Sequence, residues 1–260
     1  MRIVITGASS GIGRAVVSEL MAERQIAGPH KLLLVDRDRA GIESLVARHG
    51  PGVAAMVTDV GMTDCGDRIA AAAIAHMDGV DGLVSNAGFI LAGSLSQIDP
   101  EAFDKAFAIN TRATWLIAKA LYPIMKEGGG GSMVATASMS AHHATPPLGA
   151  YAPSKAALHM IVKQLANEWG PDGIRVNSVS PGPTLTNMTS AGYADQQMRD
   201  ARIAGIPTRR IGEPEDVAEA IIFLLSNRAR QINGVDILVD GGLSTTLMTA
   251  TGAGLGQGKK

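Results

Sequence analysis

The feature that most constrains the fold is the alternation of short, β-branched or apolar runs with longer segments of helical periodicity. Strands buried on both faces of a sheet read as continuous apolar runs, and parallel strands need a long crossover between them. Repeated βαβ units therefore predict an α/β fold, with a parallel sheet and helices on both faces. The predicted strands, which make a seven-stranded sheet, are 2–6, 31–36, 53–60, 82–85, 132–138, 175–180 and 235–239. The predicted helices are 11–23, 39–48, 63–76, 100–126, 150–169 and 214–225.

Length and composition favour one domain that acts on small molecules. No Ser/Pro-rich or charged run divides the 260 residues. Lys and Arg number 23 against 24 Asp and Glu, which gives no electrostatic reason to expect nucleic acid or an anionic membrane as partner. Cys65 has no second cysteine to pair with, and no apolar stretch approaches the roughly 20 residues that span a bilayer. Because the first strand begins almost at Met1, there is no room for a signal peptide, and a cytoplasmic location is expected.

A glycine-rich turn follows the first predicted strand and opens the first helix. Gly7, Gly11 and Gly13 are spaced Gly-x-x-x-Gly-x-Gly, with Ser9 and Ile12 between them. Free backbone N–H groups and the positive end of a helix make such a turn suitable for phosphate. The pattern is a variant of the Rossmann dinucleotide fingerprint, although by itself it also fits an ordinary tight turn.

Asp36, at the end of the second predicted strand, strengthens the dinucleotide interpretation. It follows Gly13 at about the separation expected for an acid that accepts hydrogen bonds from the adenosine ribose. A 2′-phosphate about 4 Å from this carboxylate would be repelled by roughly 4 kcal/mol per charge at an effective dielectric of 20. NAD is therefore the expected cofactor and NADP is less favoured, unless Arg14 or Arg37 neutralises the phosphate.

The same turn also spells the nucleophile elbow of serine hydrolases. Gly7-Ala-Ser9-Ser-Gly11 fits Gly-x-Ser-x-Gly between a strand and a helix. Such an elbow needs an oxyanion loop from an earlier strand and a histidine later in the chain. Only eight residues precede Ser9, and the last histidine is His159. The hydrolase is therefore the less favoured alternative.

Tyr151 and Lys155 place a phenol and an ammonium four residues apart, on one face of a predicted helix. A tyrosine near its ordinary pKa of about 10 is a poor base at neutral pH, but a neighbouring cation favours the phenolate. The pair therefore fits acid/base catalysis. A packed tyrosine beside a solvated lysine would give the same spacing.

Further residues accompany this pair at other predicted element ends. Ser138 ends the fifth strand, Asn86-Ala87-Gly88 follows the fourth, and Asn110 lies inside the long helix 100–126. With the glycine turn, they make the chain resemble the short-chain dehydrogenase/reductase family over about residues 1–242. The resemblance implies a single doubly wound Rossmann-type domain. Two later motifs that carry it are Asn177-Ser-Val-Ser-Pro-Gly182 and Val239-Asp-Gly-Gly242.

The resemblance implies a role for each catalytic candidate. Tyr151 would exchange a proton with the substrate oxygen while hydride passes between a secondary alcohol or ketone and the nicotinamide. Ser138 would hydrogen-bond the same oxygen. Lys155 would bind the nicotinamide ribose and lower the pKa of Tyr151, and Asn110 would hold a water that links Lys155 to solvent.

It also implies cofactor contacts outside the glycine turn. Asp59 and Val60 match positions that contact adenine, Asn86 one that stabilises the sheet and ribose, and Thr186 one that meets the carboxamide. The predicted cofactor residues are Gly7, Ser9, Gly11, Ile12, Gly13, Asp36, Arg37, Asp59, Val60, Asn86, Ala87, Gly88, Tyr151, Lys155, Pro181, Gly182, Thr184 and Thr186.

The substrate pocket is less defined by the sequence. The long mixed segment 187–210 is expected to form a lid, because connections of this length in compact domains often cover a site. The predicted pocket wall consists of Ile90, Leu91, His142, His143, Pro147, Leu148 and Met188. No metal is expected at the two histidines, since neighbouring residues with no nearby cysteine or second acid make poor ligands. Residues 243–260 form a glycine-rich tail.

These observations favour an NAD(H)-dependent oxidoreductase of unspecified substrate. The remaining alternative is a noncatalytic NAD-binding redox sensor, since a fold does not fix a function. In the family that the chain resembles, the helices corresponding to 100–126 and 150–169 pair between subunits, so a dimer or tetramer is expected.

Overall fold

The computed structural model of the protein describes residues 1–22, 25–146 and 148–246. Its strands are β1 Arg2–Thr6, β2 Lys31–Asp36, β3 Val53–Val57, β4 Gly82–Ser85, β5 Gly131–Thr136, β6 Ile174–Pro181 and β7 Asp236–Val239. These seven strands are parallel and form one sheet in the order β3-β2-β1-β4-β5-β6-β7. This confirms the predicted α/β fold and its seven-stranded parallel sheet.

Helices cover both faces of the sheet, as predicted. The helices are α1 Gly11–Met21, α2 Arg39–His49, α3 Cys65–Met77, α4 Pro100–Phe107, α5 Ala113–Glu127, α6 Tyr151–Trp169, α7 Gln196–Gly205 and α8 Pro214–Leu225. Successive β1 residues point to opposite faces: Val4 joins a core with α3, α5 and α6, whereas Ile3 and Ile5 join a core with α1, α2 and α8.

The order of strands reverses at β1, which pairs with β2 on one side and β4 on the other. The connections that leave the carboxyl ends of β1 and β4 run in opposite directions, toward β2 and β5, so a crevice opens between β1 and β4. All seven strands are parallel, and their carboxyl ends therefore share this edge of the sheet. Any ligand site built from strand ends must lie along it.

The predicted helix 100–126 is interrupted by one turn of π-helix, Ala108–Arg112, between α4 and α5. The wider turn contains Asn110 and Thr111, which are both buried and hydrogen-bonded to α6. A π-turn of this kind is found often at functional sites. The apolar periodicity of the segment does not reveal it, because it continues on both sides of the turn.

The segment 187–210, predicted as a connection, contains the helix α7 and a short 3₁₀ turn, Ser190–Tyr193. Asp195 caps α7 by accepting a hydrogen bond from the Met198 N–H at 2.8 Å. No residue of α7 is buried. The helix therefore lacks the apolar face by which the other helices are predicted.

Two expectations concern the chain ends and membranes. Of the predicted tail 243–260, the structure describes only residues up to 246, with a 3₁₀ turn at Leu243–Thr245; the rest lies outside the described residues. Within the described part of the chain, no helix has the length and hydropathy to cross a membrane.

Candidate functional site

A cleft of about 510 Å³ opens at the carboxyl edge of the sheet and brings most of the predicted cofactor residues together. All of them line it except Gly13. The catalytic candidates Ser138, Tyr151 and Lys155 also line the cleft, whereas Asn110 lies behind it. Residues from the ends of six strands, β1 to β6, thus converge on one concave site.

The glycine turn is held in shape by close backbone contacts. Gly7 adopts a φ of +65°, which favours glycine, and a Cβ on Gly13 would lie 2.1 Å from the Gly7 carbonyl oxygen. The Asn86 side chain donates to that same carbonyl at 3.1 Å. The hydroxyl of Thr6 accepts from the backbone N–H groups of Asn86 and Ala87 at 3.0 and 3.1 Å. Gly13 therefore sets the approach of α1 to the turn, and the turn fits a pyrophosphate at the helix N-terminus.

Asp36 faces the cleft with its carboxylate already oriented. It accepts hydrogen bonds from the backbone N–H groups of Ser9 at 2.9 Å and Asp38 at 3.0 Å. Arg37 also lines the cleft, whereas Arg14 lines an adjoining pocket that shares Gly11, Thr186 and Asn187 with it. Of the two cations that could neutralise a 2′-phosphate, only Arg37 therefore lies in the cleft itself.

Ser9 lacks the partners that a hydrolytic nucleophile requires. In the described part of the chain, no histidine lines the cleft. The backbone of Ser9 is bound to Asp36, which serves to hold the turn. The structure gives the serine hydrolase alternative no general base.

Tyr151 and Lys155 begin α6 and project into the cleft. The ammonium of Lys155 donates to the Thr136 carbonyl oxygen at 2.7 Å and lies 5.9 Å from the centre of the Tyr151 ring. Ser138, two residues after the end of β5, lies close enough to the Tyr151 hydroxyl to affect its pKa. A phenol, a hydroxyl and an ammonium therefore share one side of the cleft, next to the glycine turn.

Burial controls the protonation of this group. Desolvation raises the pKa of Tyr151, and the neighbouring Ser138 hydroxyl opposes this rise. Desolvation also lowers the pKa of Lys155 to about 8. In the protein alone, the pKa of Tyr151 is thus raised by burial and is not lowered by Lys155 as the sequence predicted. An oxidised nicotinamide beside the ring would add the positive charge that favours the phenolate.

Asn110 connects the π-turn to both sides of the site. Its Oδ1 accepts from the Phe89 N–H at 2.7 Å, and its amide donates to the Phe89 carbonyl at 2.9 Å and to the Ser154 hydroxyl at 3.0 Å. Gly88 lies beside both Asn110 and Lys155. The side chain therefore ties the loop after β4 to α6, and Ser154 is a functional neighbour that the sequence motifs did not indicate.

Comparison with known proteins agrees with this geometry. Residues 7–244 match a family model described as Enoyl-(Acyl carrier protein) reductase. The chain is 35% identical to L-rhamnose 1-dehydrogenase (NAD(P)(+)) of Azotobacter vinelandii, with 94% of this chain and 97% of that protein covered. It is 34% identical to dehydrogenase/reductase SDR family member 4 of Sus scrofa, with 94% and 87% covered. The crystal structure of levodione reductase superposes with a TM-score of 0.87 and 30% identity, covering 94% and 97%.

The chain belongs to the short-chain dehydrogenase/reductase family. The match spans nearly the whole predicted resemblance of 1–242, and it confirms that resemblance. This family member is an oxidoreductase with a nucleotide-binding Rossmann-type domain. Neither the serine hydrolase nor the redox sensor is favoured by these relatives.

The substrate side of this dehydrogenase/reductase differs in part from the predicted pocket wall. Ile90, Leu148 and Met188 line the cleft, whereas His142 and His143 do not. His142 instead pairs with Asp236 at 2.7 Å. Leu91 does not line the cleft either, and Pro147 lies outside the described residues.

The cleft residues that were not predicted individually include Phe89, Tyr193 and Arg202, of which the last two lie in the predicted lid segment 187–210. The guanidinium of Arg202 lies 5.1 Å from the centre of the Tyr193 ring. The N-cap signal of Asp195 would have revealed α7 and hence Arg202. Nothing local indicates that Tyr193 turns inward, because its burial depends on packing with Ile206 and Ile211.

Replacing Lys155 by Met should change how stability depends on pH. The folded protein releases the Lys155 proton near pH 8, whereas the unfolded chain holds it to about 10.5. In this window the unfolded state binds more protons, so this group makes stability rise as the pH rises. We expect the unfolding free energy of the wild type, relative to Lys155→Met, to increase on the order of 1 kcal/mol between about pH 7 and pH 9.5, measured by urea titration.

The matched control is Lys163→Met, which removes an exposed lysine from the same helix. Its stability should follow the wild type across the same range. Parallel pH responses of the wild type and Lys155→Met would contradict the lowered pKa of Lys155.

Proposed function

We propose that the protein transfers hydride between NAD(H) and a secondary alcohol or ketone, with Tyr151 as the acid/base. The observation that carries the proposal is the placement of Tyr151, with Ser138 beside its hydroxyl and Lys155 beside its ring, in the cleft that begins at the glycine turn. A redox sensor would bind the dinucleotide without needing a buried phenol beside an ammonium.

The nicotinamide, when bound, supplies the hydride acceptor or donor. Tyr151 moves the proton of the substrate oxygen, and Ser138 holds that oxygen and stabilises the charge that develops on it. Lys155, fixed by the Thr136 carbonyl, is positioned to bind the nicotinamide ribose and to favour the phenolate. Asn110 holds Phe89 and Ser154 around this group, and we assign the predicted water relay to its neighbourhood.

Tyr151→Phe should abolish turnover and leave NADH binding nearly unchanged. It removes only the hydroxyl that moves the proton, an effect worth about 10²–10⁴-fold in kcat for general acid/base catalysis. Turnover is measured by NADH absorbance with a panel of cyclic, aromatic and polyol alcohols, and binding by NADH fluorescence.

Tyr122→Phe is the matched control. Tyr122 lies on α5, does not line the cleft, and donates a hydrogen bond from its hydroxyl to Asp172 at 2.5 Å. The Tyr122→Phe variant should therefore keep wild-type activity. Undiminished activity of Tyr151→Phe would contradict the mechanism. Inactivity of the wild type on the whole panel, with NADH still bound, would favour the sensor.

We propose NAD rather than NADP as the preferred cofactor. The Asp36 carboxylate faces the part of the cleft at the end of β2, where it would accept from the ribose hydroxyls and repel a 2′-phosphate. Arg14 does not line this cleft, which supports the preference. The relative from Azotobacter vinelandii is named for both cofactors, so the choice rests on local charge.

Asp36→Asn should raise the ratio of kcat/KM with NADP to kcat/KM with NAD by about tenfold or more, because the variant removes one charge beside the phosphate position. Steady-state kinetics with both cofactors measures the ratio. In the control Asp59→Asn, a carboxylate in another part of the cleft is neutralised, and the ratio should stay near the wild-type value. Wild-type kcat/KM with NADPH equal to or above that with NADH would refute the preference.

We infer that residues 187–210 form a lid over the substrate. Met188, Tyr193 and Arg202 from this segment line the cleft opposite Ile90 and Leu148. The wall is mostly apolar, with the Arg202 guanidinium as its charged point. A small alcohol with an apolar body, and a polar or anionic group toward Arg202, fits this wall best.

We propose the cytoplasm as the place of action. Cys65 is a buried free thiol, which fits a reducing compartment.

We propose that the protein is a homodimer or homotetramer. Phe103, Trp115 and Met160 expose 37, 42 and 60% of their surface on α4, α5 and α6, the helices that the family resemblance assigns to subunit pairing. Light scattering should give the mass of two or four chains, and Trp115→Glu should shift it toward smaller species. Met62→Glu, at an equally exposed apolar residue outside these helices, is the control. A single-chain mass for the wild type would reject the oligomer.

A further inference from the structure

Three potential metal ligands meet outside the catalytic cleft. His142 lies in the connection after β5, His159 on α6 and Asp236 at the start of β7. One ligand atom of each residue lies within 4.8 Å of the other two. None of the three lines the cleft. No acidic residue is near His142 in the sequence, and the fold brings Asp236 to it.

The histidine nitrogens have electron pairs available for a metal. The rings of His142 and His159 meet edge to face, with centroids 4.9 Å apart. Nδ1 of His159 is buried and has no hydrogen-bond partner among the described residues. A buried nitrogen without a hydrogen-bond partner is available to bind a metal ion.

The carboxylate of Asp236 is also oriented so that one of its oxygens can bind a metal ion. Its side chain is 5% exposed, and its Oδ1 accepts from the Ser178 hydroxyl at 2.5 Å. Its other oxygen, Oδ2, lies 2.7 Å from Nε2 of His142. A hydrogen bond that fixes one carboxylate oxygen and leaves the other for a ligand is a usual feature of metal sites.

We propose that His142, His159 and Asp236 bind a zinc-type divalent cation. Two imidazoles and one carboxylate favour Zn²⁺ over Mg²⁺ or Ca²⁺, which prefer oxygen ligands alone. Tetrahedral bonds of about 2.0–2.1 Å separate ligand atoms by roughly 3.3 Å. The ligand atoms of the three residues lie between 2.7 Å and at most 4.8 Å apart. The tetrahedral separation falls within this range, so small side-chain movements would complete the site. A water takes the fourth position.

The position of the site indicates a structural role. His142 follows Ser138 by four residues, and His159 follows Lys155 by four, on the same face of α6. A bound cation would join the connection that begins at Ser138 to the helix that carries Tyr151 and Lys155, and both to β7. It would stabilise the relative position of these elements without contacting substrate or cofactor. This inference does not depend on the proposed reaction.

Cobalt titration of tag-free protein, stripped with chelator and desalted, tests the site. Co²⁺ should give the visible absorption of a tetrahedral nitrogen and oxygen site, saturating at about one equivalent per chain, and Zn²⁺ should displace it. Zn²⁺ should also raise the melting temperature of the stripped protein, because it binds the folded state. Absence of a saturable Co²⁺ spectrum in the wild type would overturn the proposal.

The variants His142→Ala, His159→Gln and Asp236→Asn should each weaken Co²⁺ binding by tenfold or more. His143→Ala, the neighbouring exposed histidine outside the cluster, is the matched control and should bind like the wild type. Circular dichroism and NADH binding establish that each variant is folded. The His142 side chain lies partly in solvent, so His142→Ala should fold. This variant tests the site even if the variants of His159 and Asp236 do not fold. Wild-type affinity in His142→Ala, or equal losses in His142→Ala and His143→Ala, would overturn the proposal.

Discussion

The parallel direction of all seven strands is the constraint on which the rest of the structure depends. Every strand must leave the sheet at the same edge, and the order reverses at β1, between β2 and β4. Two connections diverge there and leave a crevice whose walls are strand ends. The glycine turn, Asp36, Ser138 and the loop after β6 are neighbours only because of this topology. The close contact of Gly13 with the Gly7 carbonyl places the N-terminus of α1, the positive end of its dipole, at this crevice.

Desolvation dominates the electrostatics of the catalytic group. It raises the pKa of Tyr151 and lowers that of Lys155, so both groups move toward their neutral forms in the protein alone. The Thr136 carbonyl holds the lysine in this dry position. A bound oxidised nicotinamide would supply the positive charge that favours the phenolate. The chain itself positions Tyr151 and Lys155 and excludes water from them.

A buried polar network maintains these positions. Asn110, in the π-turn, links the backbone of Phe89 to Ser154, and Thr111 binds the Ser154 carbonyl at 2.8 Å. Each of these groups would be costly to bury without a partner. The interruption of the long helix therefore has a physical cause: the wider turn directs Asn110 and Thr111 toward α6. The lysine and tyrosine on α6 are held in register with the loop after β4 by the same bonds.

The sequence by itself determined the features that are local along the chain. Strands β1, β2 and β4, the glycine turn and the four-residue spacing of Tyr151 and Lys155 follow from short-range periodicity and backbone sterics. Only the tertiary structure decided the π-turn, the burial of Tyr193 and the positions of the histidines. The π-turn depends on bonds to another helix, and Tyr193 is buried by packing with Ile206 and Ile211. His142 lies outside the cleft and pairs with Asp236, which is 94 residues later in the chain and comes close only when β7 joins the sheet.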